Sequence, residues 1–224
     1  MYLTQRLDSE TSRAYALRTI RDNIVRLGLP PGCKVSESEL AAEMGLSRTP
    51  VGEVLNELSR VKIVEIYPQR GSIISLIDYD LVEESRFIRQ VLECAVVEQV
   101  CTISAPDMLR KLDENIHLQQ FYLSNNDPDA LLRLDNQFHK TLFEIARKPQ
   151  AYTMLENTSI HFDRVRRMSL STVKDLKIVQ DHQQILEAIT AKDTAAASLR
   201  MREHLNRWKI DETVIRSKYP DYFK

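Results

Sequence analysis

Residues 36–70 read SESELAAEMGLSRTPVGEVLNELSRVKIVEIYPQR. Ser36, followed three residues later by Glu39, makes a capping box that opens a helix. Leu40, Ala41 and Met44 give that helix a buried face. Gly45 falls where a left-handed residue closes a helix. Ser47 then caps a second helix, with Arg48 and Thr49 in its first turn and Pro50 where a missing N–H costs little. Two short helices joined by a tight turn form a helix-turn-helix. In such a motif the second helix, here Ser47–Arg60, is the one offered to a DNA major groove.

The flanks extend this reading. Downstream, Ile63, Val64, Ile66 and Tyr67 precede Pro68-Gln69-Arg70-Gly71, and Ile73 and Ile74 follow, which predicts a hairpin. With Arg70 at its tip the hairpin reads as a wing that reaches phosphate or minor groove. The Ser47 helix buries Val51, Val54 or Leu55, and Leu58, leaving Arg48, Thr49, Gly52, Glu53 and Asn56 to face outward or flank the seam. Arg48 is the first candidate for a base or phosphate contact and Asn56 the second. Upstream, Leu17, Ile20, Ile24 and Leu27 keep helical spacing until Gly28, Pro30, Pro31 and Gly32 stop the helix. Residues 1–10 read as a loose arm. The bland alternative is a small helical domain whose hairpin serves protein contacts.

Beyond this head the chain reads as all helical. Its 224 residues suit one large or two modest domains, and five glycines favour helices over a loop-rich fold. A net charge of −1 argues against a non-specific nucleic-acid coat, yet leaves a sequence-specific binder open, because footprints are local. Cys33, Cys94 and Cys101 share no metal or redox spacing, and no long apolar run suggests a leader or membrane span. The expectation is therefore a cytoplasmic protein with reduced thiols. Helical segments are expected over 80–102, 106–124, 128–147, 150–168, 173–191 and 193–211, with breaks at Pro106, Asn125–Pro128 and Pro149 and with Ser104 and Asp127 as caps. The expected organisation is a DNA-binding head (1–76), a hinge (77–79), a helical bundle (80–215) and a tail (216–224) that docks by its aromatics or frays.

Histidines mark the bundle. Asp135 and His139 are four apart and meet on one helical face bordering Leu131, Leu134, Phe138 and Leu142. His182 lies on a stripe with Ile178, Ile185 and Ile189, and His204 on another with Ala197, Met201 and Trp208. Histidines on buried faces need partners, and one carboxylate with three imidazoles can hold a divalent metal while leaving positions for water or ligand. Spacing alone does not select this set. Asp113 and His117 show the same four-residue spacing beside Leu109, Leu112, Ile116 and Leu123. A lone helical histidine is ordinarily a hydrogen-bonded core or rim residue, as His161 beside Arg164, Arg166 and Arg167 would be. Arg89 shares a face with Leu92 and Val96; it either pairs with Glu93 or points inward toward a carboxylate ligand.

These pieces carry a family resemblance. PPGCKVSESELAAEMGLSRTPVGEVLNELSR followed by YPQRG resembles the winged helix-turn-helix of the GntR superfamily of bacterial transcription regulators. RQVLE (89–93), LDNQFHKTLFEIA (134–146), DHQQILEAITAKD (181–193) and MREHL (201–205) resemble the FCD effector domain of its FadR-type branch. The resemblance implies a mostly α protein: a winged helix-turn-helix followed by an all-helical bundle of six to seven helices. It implies a homodimer on a short palindromic operator, usually a repressor, with the helix start that carries Arg48 and the wing tip that carries Arg70 on DNA; Thr49 and Asn56 join them as candidates from their places on the helix. It implies a divalent metal, often zinc or nickel, held by Asp135, His139, His182 and His204 rather than by the Asp113/His117 pair. Arg89 matches a cavity-facing position, and the implied effector is a small organic or sugar acid whose carboxylate reaches the metal. The chain departs from the family in having PVGEVL where PVREAL is usual, so Gly52 replaces an arginine that commonly touches DNA. It also lacks the usual glycine before the wing, having Val61-Lys62-Ile63-Val64. Two other readings of the same residues are a sensor whose signal is the metal itself and a metal-dependent enzyme fused to a DNA-binding head.

Overall fold

Helix α1 (Ser12–Val25) starts where Thr11 accepts a hydrogen bond from the Ala14 amide, 3.1 Å. Short strand β1 (Lys34–Val35) follows, then α2 (Glu37–Met44), α3 (Arg48–Arg60), β2 (Val64–Tyr67) and β3 (Gly71–Ile74). This computed structural model describes residues 1–103, 105–172 and 177–224, with no description of the Ile210 side chain. Ser36 caps α2 through the Glu39 amide at 3.2 Å, and Gly45 closes it at φ 64. Ser47 holds the cap position of α3 with extended backbone, but its hydroxyl makes no cap bond. The three strands form one antiparallel sheet in the order β1-β3-β2, with Val64 opposite Ile74 and Tyr67 opposite Gly71. Helices α1 and α2 and strand β2 pack on α3. Ile20, Ile24, Leu55, Leu58, Ile63 and Ile74 are fully buried between them. This is a winged helix-turn-helix.

Residues 1–10 are not loose. The buried Asn23 side chain accepts from the Tyr2 amide (2.7 Å) and donates to the Tyr2 and Thr19 carbonyls (2.9 and 2.8 Å). Arg18 ties down Glu10 and the Gln5 carbonyl. No apolar periodicity announces this arrangement, because one polar side chain and backbone groups make it.

The helices continue as α4 (Tyr79–Ile103), α5 (Pro106–Ser124), α6 (Pro128–Ile145), α7 (Pro149–Thr158), α8 (Ile160–Thr172), α9 (Ile178–Thr190), α10 (Thr194–Asn206) and α11 (Trp208–Lys218). Two expected segments are each divided by one residue. At the first, Thr158 and Ser159 hydroxyls both donate to the Leu155 carbonyl, at 2.9 and 2.8 Å, and the Ser159 amide turns to Glu156 instead. Such hydroxyl back-bonding bends or breaks helices. At the second, the Arg207 amide bonds His204 in place of a full helical turn. Prolines at the first helical position start α5, α6 and α7. Ser104 and the start of the expected 173–191 segment lie outside the described residues, and Ala105 occupies the cap of α5.

The chain forms two compact units: Met1–Val82 together with Tyr219–Lys224, and Glu83–Lys218. The last residues therefore belong with the head. Ile77 pairs with Phe223 in a parallel bridge, through bonds of 2.8 and 3.0 Å to Tyr222 and Lys224. Phe223 stacks on Tyr79 with centroids 5.3 Å apart, and Lys224 pairs with Asp78 at 3.2 Å. In the second unit α5 packs on α6 and α9, α9 on α10, α6 on α8, and α8 on α11. On α4, Glu84, Ile88, Val91, Ala95, Glu98 and Thr102 are exposed at alternating four- and three-residue steps, with exposed Phe87 alongside. Among the described residues no helix is long and apolar enough to cross a membrane.

Candidate nucleic-acid interface and metal centre

On α3, Val51, Val54, Leu55 and Leu58 face the core and Arg48, Thr49, Glu53 and Asn56 are exposed. Arg48 lies 3.9 Å from Glu37, with 73% of its side chain exposed, so it is available to a partner. The Asn56 amide donates to the Gly52 carbonyl at 2.8 Å, leaving its oxygen as the outward group. Arg70 sits exposed at the wing tip beside Gln69, whose φ is 63. Gly52 is buried rather than outward.

The bundle gathers Asp135, His139, His182 and His204 from α6, α9 and α10, with one ligand atom of each within 4.8 Å of the others. The decoy pair separates from them: His117 is exposed and Asp113 half-buried, and the two pair with each other at 3.5 Å, away from the gathered set. His161 is buried beside Arg164, 3.3 Å away. The geometry of the gathered set has a clear sense. The His139 Nδ1 meets the buried Glu93 carboxylate. The His182 Nδ1 meets Gln119 Oε1 at 2.8 Å, and the His204 Nδ1 meets Asp181 Oδ2 at 3.4 Å. Each acceptor fixes the ring proton on Nδ1 and turns a bare Nε2 inward. Those Nε2 atoms lie 3.5 to 3.9 Å from Asp135 Oδ1, and the Nε2 atoms of His139 and His204 are 3.2 Å apart. Lone pairs so close repel unless a cation lies between them. Donors bound at about 2.1 Å to one ion stand roughly 3–3.5 Å apart, so the set fits a divalent metal. The His182 Nε2 and Asp135 Oδ1, both buried, have no hydrogen bond, which again suits a ligand role.

Electrostatics keep the rings neutral. Burial pushes the His204 pKa down to about 4 against the pull of Asp181, and burial lowers His139 and, further, His182. Burial opposes ionisation of Glu93, but Arg89 and His139 outweigh it and hold its pKa at about 2. Arg89 donates to Glu93 at 2.6 Å, lies 3.8 Å from Asp163 and spreads its guanidinium over the Phe162 ring. Of its two readings the Glu93 pair is the one formed. Arg166, half-buried, meets Asp135 and bonds Asp163 (2.6 Å) and Asn136 (3.0 Å).

Sequence reading missed Gln119, Asp181 and Arg166. Gln119 had a signal: with Asn115 it interrupts the buried stripe of Leu112 and Ile116, and the two amides bond each other at 2.6 Å. Asp181 had none, since its partners lie on another helix.

Comparison with known proteins agrees with this architecture. The FCD domain family matches residues 84–207, and the gntR family of bacterial regulatory proteins matches residues 13–74. The chain is 32% identical over 209 residues to the HTH-type transcriptional repressor RspR of Escherichia coli K12, covering 92% of this chain and 91% of that one. It is 24% identical over 188 residues to the gluconate operon transcriptional repressor of Bacillus subtilis 168, covering 81% and 76%. Among solved structures, E. coli McbR/YncC shares the fold at a TM-score of 0.78 and 18% identity, covering 93% and 99%. The winged head, the helical bundle and these matches together make the chain a member of the GntR superfamily, a ligand-responsive transcription regulator of the FadR-type branch with an FCD effector domain.

Proposed function

We propose that this regulator is a cytoplasmic repressor that binds a palindromic operator as a homodimer and responds to a small carboxylate, of the organic or sugar acid class, at a divalent zinc or nickel ion. One observation carries the reading: three histidines, two of them fully buried, each have Nδ1 held by an acceptor, and their Nε2 atoms converge on Asp135. Asp135, His139, His182 and His204 would hold the ion, which when bound supplies a Lewis-acidic position for a carboxylate oxygen. Arg89, whose Nε is held by Glu93, is assigned as the ligand's second anchor through its remaining guanidinium N–H groups. Arg48, Thr49, Asn56 and Arg70 are assigned to DNA, with Arg48 and Thr49 at the helix start that meets base edges.

The acid class is supported by the relative named for a gluconate operon, and repression by two relatives named repressors. The dimer is supported by the exposed, partly apolar seam of α4, whose spacing is that of a helix–helix interface. The test is operator binding by metal-free protein, first with zinc or nickel alone and then with a panel of sugar and hydroxy acids. Acids that weaken DNA binding only when metal is present support the reading. No response to any acid would sink it, and a response to metal alone would make the ion the signal.

A further inference from the structure

Gly52 lies one turn beyond Arg48 on the recognition helix, between the core-facing and outward-facing residues. Its backbone is ordinary helix, so no torsion requires glycine there, and a mid-helix glycine weakens a helix. What glycine provides is room. A Cβ at this position would stand 3.1 and 3.4 Å from the two carboxylate oxygens of Glu37, and 3.2 Å from its Cδ. The carboxylate of Glu37, from the first turn of α2, is thus folded over α3 at Gly52. It is 44% exposed and 3.9 Å from Arg48. An acidic residue in a first turn suits the helix dipole, but that role does not need the carboxylate laid across a neighbouring helix.

In a helix-turn-helix the N-terminal part of the second helix meets base edges. A carboxylate lodged there has only acceptors, so the edge it fits is an exocyclic amino group. Adenine N6 is flanked on its own ring by the N7 acceptor, which repels a carboxylate; cytosine N4 is flanked on its own ring by C5–H, which carries no lone pair. We propose that Glu37, admitted over α3 by Gly52, reads a cytosine of the operator through its N4 amino group, with Arg48 offsetting the carboxylate's repulsion from phosphates. The inference needs only the DNA-binding role of the head, and not the metal or the effector.

The test is selection of duplexes from a random pool by the full-length chain and by Glu37→Ala, Glu37→Gln and Gly52→Ala. The wild-type consensus is expected to contain an invariant cytosine that Glu37→Ala relaxes at that position alone, with about a tenfold loss of affinity for the wild-type sequence. Glu37→Gln is expected to shift that position toward adenine, and Gly52→Ala, by crowding the carboxylate, to weaken it. Glu37→Gln keeps the side chain's size and decides the matter if Glu37→Ala folds poorly in a thermal melt. An unchanged consensus in all three variants overturns the assignment. So does a wild-type consensus without an invariant cytosine, or a uniform rise in affinity on removing the charge.

Discussion

Lys62 holds a left-handed backbone at φ 60, a conformation that disfavours side chains. Asn126, Arg147 and Lys192 do the same at φ 53, 57 and 56. Each follows a helix, and in each case the next amide reaches back five residues, as Ile63 does to the Leu58 carbonyl at 2.9 Å. Where α2 closes with Gly45, these four helices close with ordinary side chains, which explains how so few glycines serve so many helices. Lys62→Gly should stabilise the head by about 1 kcal/mol, read from chemical denaturation. Residue chemistry also governs the proposed metal centre. Gln119→Leu leaves His182 Nδ1 without its acceptor and should lower zinc affinity about 10- to 100-fold in calorimetric titration, while Asp135→Asn should abolish high-affinity binding. Acid has a defined sign here. The His204 pKa falls from 6.5 to about 4 on folding, so below pH 6.5 the unfolded chain takes up protons that the folded chain refuses. Stability of metal-free protein should fall as pH drops from 6.5 toward 4. Glu93, held at about 2 against 4.5, adds a second loss from pH 4.5 downward. A melting temperature flat from pH 6.5 to 4 would contradict the first loss, and one flat from pH 4.5 to 2 the second.

At the scale of elements, α4 carries the most consequential exposed face. Val91 is 52% exposed at the middle of a seam that includes Ile88 and Ala95. Val91→Asp should convert a dimer to monomer in sedimentation velocity, with the helical content retained. The limits of prediction are clearest at this scale too. Helix starts at Pro106, Pro128 and Pro149 were legible, because proline fixes its own backbone and needs no partner. The breaks at Ser159 and Arg207 were not, because the apolar pattern runs on through both. A hydroxyl bonding back to Leu155 leaves no mark on periodicity. The same holds for the candidate metal centre. Asp135, His139, His182 and His204 lie on or beside apolar stripes, but the family resemblance, not spacing, set them apart from Asp113 and His117, and the roles of Asp181 and Arg166 beside them depend on residues of other helices.

At the scale of the molecule the chain passes between its units twice, after Val82 and after Lys218. The second passage returns Phe223 to bury against Tyr79 and Ile77. Phe223→Ala should destabilise the head by about 3 kcal/mol, seen as a lower melting transition for residues 1–82 by hydrogen exchange. Expected as a separate tail, Tyr219–Lys224 could not be assigned from sequence, since its partners lie some 140 residues upstream. That distance carries a consequence for biosynthesis. Domains ordinarily fold in the order they leave the ribosome. Here the first domain to emerge lacks residues 219–224, which follow the whole helical bundle in the chain, so the DNA-reading head of a nascent chain is complete only after the bundle has been made.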